Sequence, residues 1–92
     1  MINVNEHFNG KIKSLGFELE GTPYTTGVML PGAYSIDTEK EEHVTVTVGG
    51  FEIRLPEKKW KKVKAGETVI IPPNTTFDLK ISETTSYICM YR

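Results

Sequence analysis

His43-Val44-Thr45-Val46-Thr47-Val48-Gly49-Gly50-Phe51-Glu52-Ile53-Arg54-Leu55 is the stretch that decides the fold class. Its first half sets valines on one face and His43, Thr45 and Thr47 on the other, the period of two that marks a half-buried strand. Phe51 to Leu55 alternates apolar and charged side chains in the same way, and Pro56 ends the run. Gly49-Gly50 between the two predicts a hairpin, because glycine reaches the φ > 0 conformations of a tight turn.

The pattern continues on both sides. Glu67 to Ile71, the turn Pro72-Pro73-Asn74, and Thr76 to Ile81 follow, with Phe77, Leu79 and Ile81 sharing one face. Thr85 to Tyr91 reads as a strand with Tyr87, Cys89 and Tyr91 on one side. Upstream, Gly27-Val28-Met29-Leu30 and Ala33-Tyr34-Ser35-Ile36 flank a turn at Pro31-Gly32. Lys58 to Lys64 is too short for a helix. It reads as an exposed loop or edge strand anchored by Trp60, its lysines guarding the edge against aggregation; an anion site is the competing reading. Short strands separated by turn signals predict one all-β domain over residues 1–92, an antiparallel sandwich or barrel with little or no helix. Val44, Val46 and Val48 are expected to pack with Phe77, Leu79 and Ile81.

Composition narrows the function classes. A net charge of −1 lacks the strongly basic footprint of a nucleic-acid binder. One cysteine, Cys89, forms no internal disulfide, and no apolar run reaches the roughly 18–20 residues that span a bilayer. Met1 to Glu6 has neither a basic nor an apolar leader region, so the expected location is cytoplasmic, without a membrane partner. A domain of 92 residues buries only about 60–65% of its unfolded surface, which favours a homodimer.

Gly66, Pro72 and Phe77 resemble the second cupin motif, G-x5-P-x-G-x2-H-x3-N, with Asn74 at its second glycine and Phe77 at its metal histidine. Glu42, with six residues between it and Gly49, stands where the first cupin motif has its glutamate. The histidines of that motif are absent. A cupin metal site needs about three imidazoles and a carboxylate, and the chain owns only His7 and His43. No metal ligand set and no cofactor are expected.

More of the chain is similar to one cupin group, the small pyrimidine/purine nucleoside phosphorylases. Phe8-x-Gly10-Lys11-x-Lys13-Ser14-x-Gly16-Phe17, Gly27-Val28-Met29-x-x-Gly32-x-Tyr34 and Glu42-x-x-Thr45-x-x-x-Gly49 carry the resemblance. Leu55-Pro56, Trp60, Gly66 to Leu79, and Thr85-Ser86-Tyr87-x-Cys89-x-Tyr91 extend it nearly end to end. The family pattern carries an arginine a few residues before Gly-Val-Met and another between the final Cys and Tyr. Here those places read Thr22-Pro23-Tyr24-Thr25-Thr26 and Met90.

The resemblance implies a cupin-type, jelly-roll-like barrel, a homodimer, and pentosyl transfer from purine and pyrimidine nucleosides to inorganic phosphate. Such a reaction passes through an oxocarbenium-like state, so it needs a carboxylate near the ribose, a hold on phosphate, and support for the departing base. Glu42 is the candidate for the ribose; a surface charge at a strand start is the competing reading. Tyr34 and His43 join it as catalytic candidates, His43 as a proton donor to the base or else a surface or interface histidine. Met29, Phe77, Tyr87 and Tyr91 suit a base pocket, because every nucleobase has a π-face; plain core is the competing reading. Thr45, Lys13 and Ser14 complete the substrate-binding set, with Thr25, Thr26 and Arg54 as further phosphate candidates. A non-catalytic sugar- or nucleoside-binding domain, or a purely structural dimerising one, are the readings from other classes.

Overall fold

β-Branched and aromatic alternation does produce strands throughout. The computed structural model describes all of Met1–Arg92 and holds ten strands and no helix. In chain order they are β1 (Asn3–His7), β2 (Ile12–Leu19), β3 (Thr22–Met29), β4 (Gly32–Asp37) and β5 (Glu42–Val48), then β6 (Gly50–Arg54), β7 (Lys61–Lys64), β8 (Thr68–Ile71), β9 (Thr76–Ile81) and β10 (Thr85–Tyr91). They form two antiparallel sheets, a six-stranded one in the order β1-β2-β3-β10-β5-β8 and a four-stranded one in the order β4-β9-β6-β7. No ladder of backbone bonds joins the two, so the barrel is open.

The inner faces meet where the alternation puts apolar residues. Val44 and Val46 of β5 and Val69 and Ile71 of β8 face Phe51, Ile53, Phe77, Leu79 and Ile81 of the smaller sheet, all within one buried cluster. Val48 departs from the expectation and is 66% exposed. Its register explains this: Tyr87 opposes Val46 and Ser86 opposes Val48, so Thr47 is an extra residue in β5. Two residues against one make a bulge, which interrupts the alternation and takes Val48 out of the core.

Gly49-Gly50 is not a hairpin turn. β5 pairs with β10 and β8, whereas β6 pairs with β7 and β9, so the chain crosses there from one sheet to the other. Gly49 has φ +85°, and a Cβ on it would lie 2.7 Å from the Thr84 carbonyl oxygen. Buried Thr85 fixes the corner, its hydroxyl accepting from the Gly50 N–H at 3.1 Å and lying 2.9 Å from the Gly50 carbonyl. Glycine is needed for close approach here, as it would have been for a hairpin.

The lysine-rich segment becomes the edge strand β7, with Val63 alone turned inward. Trp60 beside it lies under two cations, the Lys80 ammonium at 4.1 Å and the Arg54 guanidinium at 4.9 Å from its ring centre.

Ile53→Ala should cost about 2–5 kcal/mol, because Ile53 is 2% exposed between the sheets. Val48→Ala should change stability by less than about 0.5 kcal/mol. Urea unfolding of both variants checks this, and equal losses would contradict the bulge as the reason for Val48's exposure.

Candidate active site

β10 runs through the middle of the larger sheet, and every second residue of it points between the sheets. Tyr87, Cys89 and Tyr91 therefore line a cavity of about 400 Å³, within the range usual for small-molecule sites. Across β3 and β2, Tyr87 lies level with Gly27 and Ser14, and Cys89 with Thr25 and Gly16. On the other side, Cys89 opposes Val44 and Tyr91 opposes Glu42. The opposing wall is apolar, made chiefly by Phe51, Ile53, Phe77 and Leu79.

Glu42 stands at one end of this space. Its Oε1 accepts a long hydrogen bond from the Cys89 thiol, with Sγ at 3.6 Å. Burial pushes the Glu42 carboxyl above its ordinary range, and the Cys89 contact offsets only part of that. The Cys89 thiol is pushed up to about 12, first by burial and then by the neighbouring Glu42 charge. Burial also raises both phenols, with Thr25 opposing the rise at Tyr91 and Ser14 opposing it at Tyr87. Tyr91 and Thr25 share a hydrogen bond of 3.0 Å. The Glu42 carboxyl thus faces a thiol and two phenols, all four groups pushed by burial toward their protonated forms.

Gly27 makes room for this arrangement. A Cβ there would come within 2.8 Å of the Tyr87 hydroxyl and 2.9 Å of the Ser14 Cβ. A side chain at position 27 would displace the phenol from its place beside Ser14.

Six of the candidates from the sequence line the cavity together: Glu42, Met29, Phe77, Tyr87, Tyr91 and Ser14. The rest lie elsewhere. His43 and Thr45 occupy the outer face of β5, where His43 Nε2 meets Glu41 Oε2 at 2.7 Å and Thr45 pairs with Thr68 at 2.7 Å. Lys13 also points outward and pairs with Glu6 at 3.5 Å. Tyr34 is buried, but its hydroxyl donates to the Leu30 carbonyl at 2.7 Å and its ring packs on Phe8, so it is not among the lining residues. Arg54 pairs with Asp78 at 2.9 Å outside the smaller sheet, and the Thr26 hydroxyl donates to the Tyr87 carbonyl.

The structure adds residues that the sequence reading passed over. His7, Phe8 and Ile36 line the cavity as well. A shallow recess formed by Pro23, Asp37, Glu39, Lys40, Glu42 and Tyr91 shares three of its residues with the cavity and forms a mouth at the Glu42 end. Run length in the β4–β5 connection gave no signal for Lys40, since a charged loop is expected on any surface.

The cupin metal position does not fit an ion here. Phe77, at the motif's histidine, is 4% exposed within the apolar cluster, and no three His, Cys, Asp or Glu side chains converge. No helix is long and apolar enough to cross a membrane.

Fold and site together define a cupin-type β-sandwich whose motif histidine has become core and whose cavity carries a single inward glutamate. Residues 2–91 match the family model for pyrimidine/purine nucleoside phosphorylase. A relative of that name from Hahella chejuensis is 44% identical over 92 residues, covering 99% of both chains. A solved structure from Vibrio parahaemolyticus, described as of unknown function, is 35% identical with a TM-score of 0.96, covering 100% of this chain and 99% of that one. The Clostridium difficile EutQ protein shares the fold at 15% identity, with a TM-score of 0.76 over 87% of this chain and 66% of its own. The chain belongs to the pyrimidine/purine nucleoside phosphorylase family.

The raised Glu42 carboxyl sets a stability prediction. The folded state holds this proton more tightly than the unfolded chain, so the ionised form costs stability and folding weakens as pH rises through the carboxylate range. Glu42→Gln removes that cost. The variant should melt above the wild type at pH 7, with the difference closing toward about pH 4; a variant less stable at pH 7 than at pH 4, relative to wild type, would reverse the sign.

Proposed function

We propose that this chain cleaves the C1′–N bond of purine and pyrimidine nucleosides with phosphate as acceptor, giving free base and ribose 1-phosphate. What supports it, beside family membership, is the half-buried Glu42 carboxyl set beside the Cys89 thiol and the Tyr91 phenol at the end of a largely apolar cavity, with the exposed Asp37 carboxylate on the lining at the same end. As the bond to the base lengthens, positive charge grows on C1′ and O4′. A fixed carboxylate in a poorly hydrated site stabilises that charge more than it stabilises the neutral substrate. Tyr87, Tyr91 and Cys89 can donate to ribose hydroxyls or to the base, and Met29 and Phe77 offer soft surface for the base's π-face. Phosphate would approach through the mouth, where Lys40 is the one ammonium. The reading assigns no metal or cofactor beyond phosphate as co-substrate. It also places the protein in the cytoplasm.

Glu42→Gln keeps the shape and removes the charge, so turnover should fall on the order of 10²-fold, or about 2.7 kcal/mol. Glu41→Gln is the control, because Glu41 is engaged with His43 outside the cavity. The assay follows base release and ribose 1-phosphate from uridine and inosine, with chelator present. Equal turnover in the two variants would remove Glu42 from the catalytic machinery and overturn its assigned role. Binding of nucleoside without any turnover in the wild type would favour the non-catalytic domain.

We also propose that the protein is a homodimer joined through the outer face of the larger sheet. Val4, Leu15 and Ile88 fall in one row across β1, β2 and β10, at 72%, 44% and 37% exposed. Val28 and Ile70 are exposed on the same face, Val28 level with Lys13 and Ser86 and Ile70 level with His43. A monomer would leave this patch in water at a cost proportional to its area. Sedimentation should give twice the 10.4 kDa chain mass, and Leu15→Glu should shift it toward one. A wild-type mass near 10.4 kDa at micromolar concentration would end the proposal.

A further inference from the structure

Charge in the cavity is one-sided. None of the residues that line it is lysine or arginine. His7 is its one basic residue and stands far from Glu42. It lies level with Ile12, Met29 and Thr85, whereas Glu42 lies level with Tyr91. Thr85 and Tyr91 are six residues apart in β10, about 20 Å along an extended strand. At the Glu42 end, the mouth sets Asp37, Glu39 and Glu42 against Lys40 alone. The positions where the family pattern has arginine are filled by Thr22 to Thr26, beside that mouth, and by Met90. A phosphate dianion beside C1′ therefore meets more negative than positive charge, most directly from half-buried Glu42, since Asp37, Glu39 and Lys40 are exposed and screened by water.

Water carries no such penalty. We propose that the same cavity also passes the ribosyl group to water, so that the protein is a nucleoside hydrolase alongside its phosphorolysis. The inference rests on the nucleoside-cleaving reading above and adds an acceptor to it. A water oxygen forms the bond to C1′ as the C1′–N bond breaks, and the electron pair of that bond leaves on the base. The Glu42 carboxylate accepts one proton of the water while the other stays on the new C1 hydroxyl, and that proton then passes from Glu42 to the base nitrogen, so that ribose and free base are the products and the carboxylate is restored. Nothing is oxidised or reduced. Burial adjusts Glu42 toward this role, since a carboxylate held above its ordinary range is a stronger base, and the hydroxyls of Ser14, Tyr87 and Tyr91 offer partners for an ordered water.

The test uses the purified full chain with uridine and inosine in phosphate-free buffer made with ¹⁸O water, and again with saturating phosphate. Base should appear without phosphate, its partner sugar should be ribose labelled at C1, and added phosphate should raise the rate by no more than about tenfold. Base release only when phosphate is present, with ribose 1-phosphate as the sole sugar, overturns hydrolysis and leaves phosphorolysis standing. No base release under either condition overturns both. Glu42→Gln prepared identically should lose label incorporation together with phosphorolysis; unchanged labelling in that variant would assign the hydrolysis to a contaminant and overturn the inference.

Discussion

The pairing of β10 between β3 and β5 is the constraint on which the site depends. This strand follows β9 of the smaller sheet in the chain but inserts into the centre of the larger one. Its neighbours on both sides hold it in antiparallel register. With both edges paired it cannot rotate about its axis, so Tyr87, Cys89 and Tyr91 stay inward at intervals of about 6.6–6.8 Å. The bulge opposite Ser86 and Tyr87 ends the regular alternation of β5 after Val46. Glu42 and Val44 precede that bulge and remain in phase with the inward residues of β10. A shift of one residue would put His43 in the cavity and Glu42 outside.

Placement in this space determines chemistry through desolvation. Cys89, Tyr87 and Tyr91 all lose water, and each is driven toward its neutral form, as donor rather than nucleophile. Cys89 has no base or helix N-terminus to produce a thiolate, and the Glu42 charge beside it works further against one. The Glu42 carboxyl is subject to the same force, and its one donor, the Cys89 thiol, offsets only part of it. The result is a site suited to stabilising a developing cation and poorly suited to covalent catalysis by its own residues.

How much of this could be read from the chain follows from what alternation encodes. Strands with one apolar and one polar face, such as β5, β6 and β9, are visible as such, and so are the inward positions of β10. β2 is hidden in the sequence because its pattern runs the other way: Ser14 points into the cavity and Gly16 is buried on the same face, while Leu15 points out. A strand that lines a polar pocket on one side and an apolar surface on the other does not announce its core face. Gly49-Gly50 marked a change of direction, but glycine serves hairpins and sheet crossings alike. Spacing found Glu42. It could not separate Tyr34, whose hydroxyl is consumed by the Leu30 carbonyl, from the tyrosines that keep theirs in the cavity.

The phenylalanine at the motif's metal-histidine position and the proposed nucleoside site can be understood together. A cupin metal supplies concentrated positive charge at the centre of the barrel, which suits anionic or electron-rich intermediates. Here Phe77 occupies that position, and the carboxyl groups on the cavity lining, Asp37 and Glu42, face no lysine or arginine there. An oxocarbenium-like transition state has the opposite sign from an enolate or a bound superoxide, so inverting the interior charge inverts the class of intermediate the cavity can stabilise. The same inversion weakens the hold on an anionic acceptor. On the proposed reading, a cavity that favours a ribosyl cation would do so at the expense of phosphate, and the mouth sets three carboxylates against one ammonium.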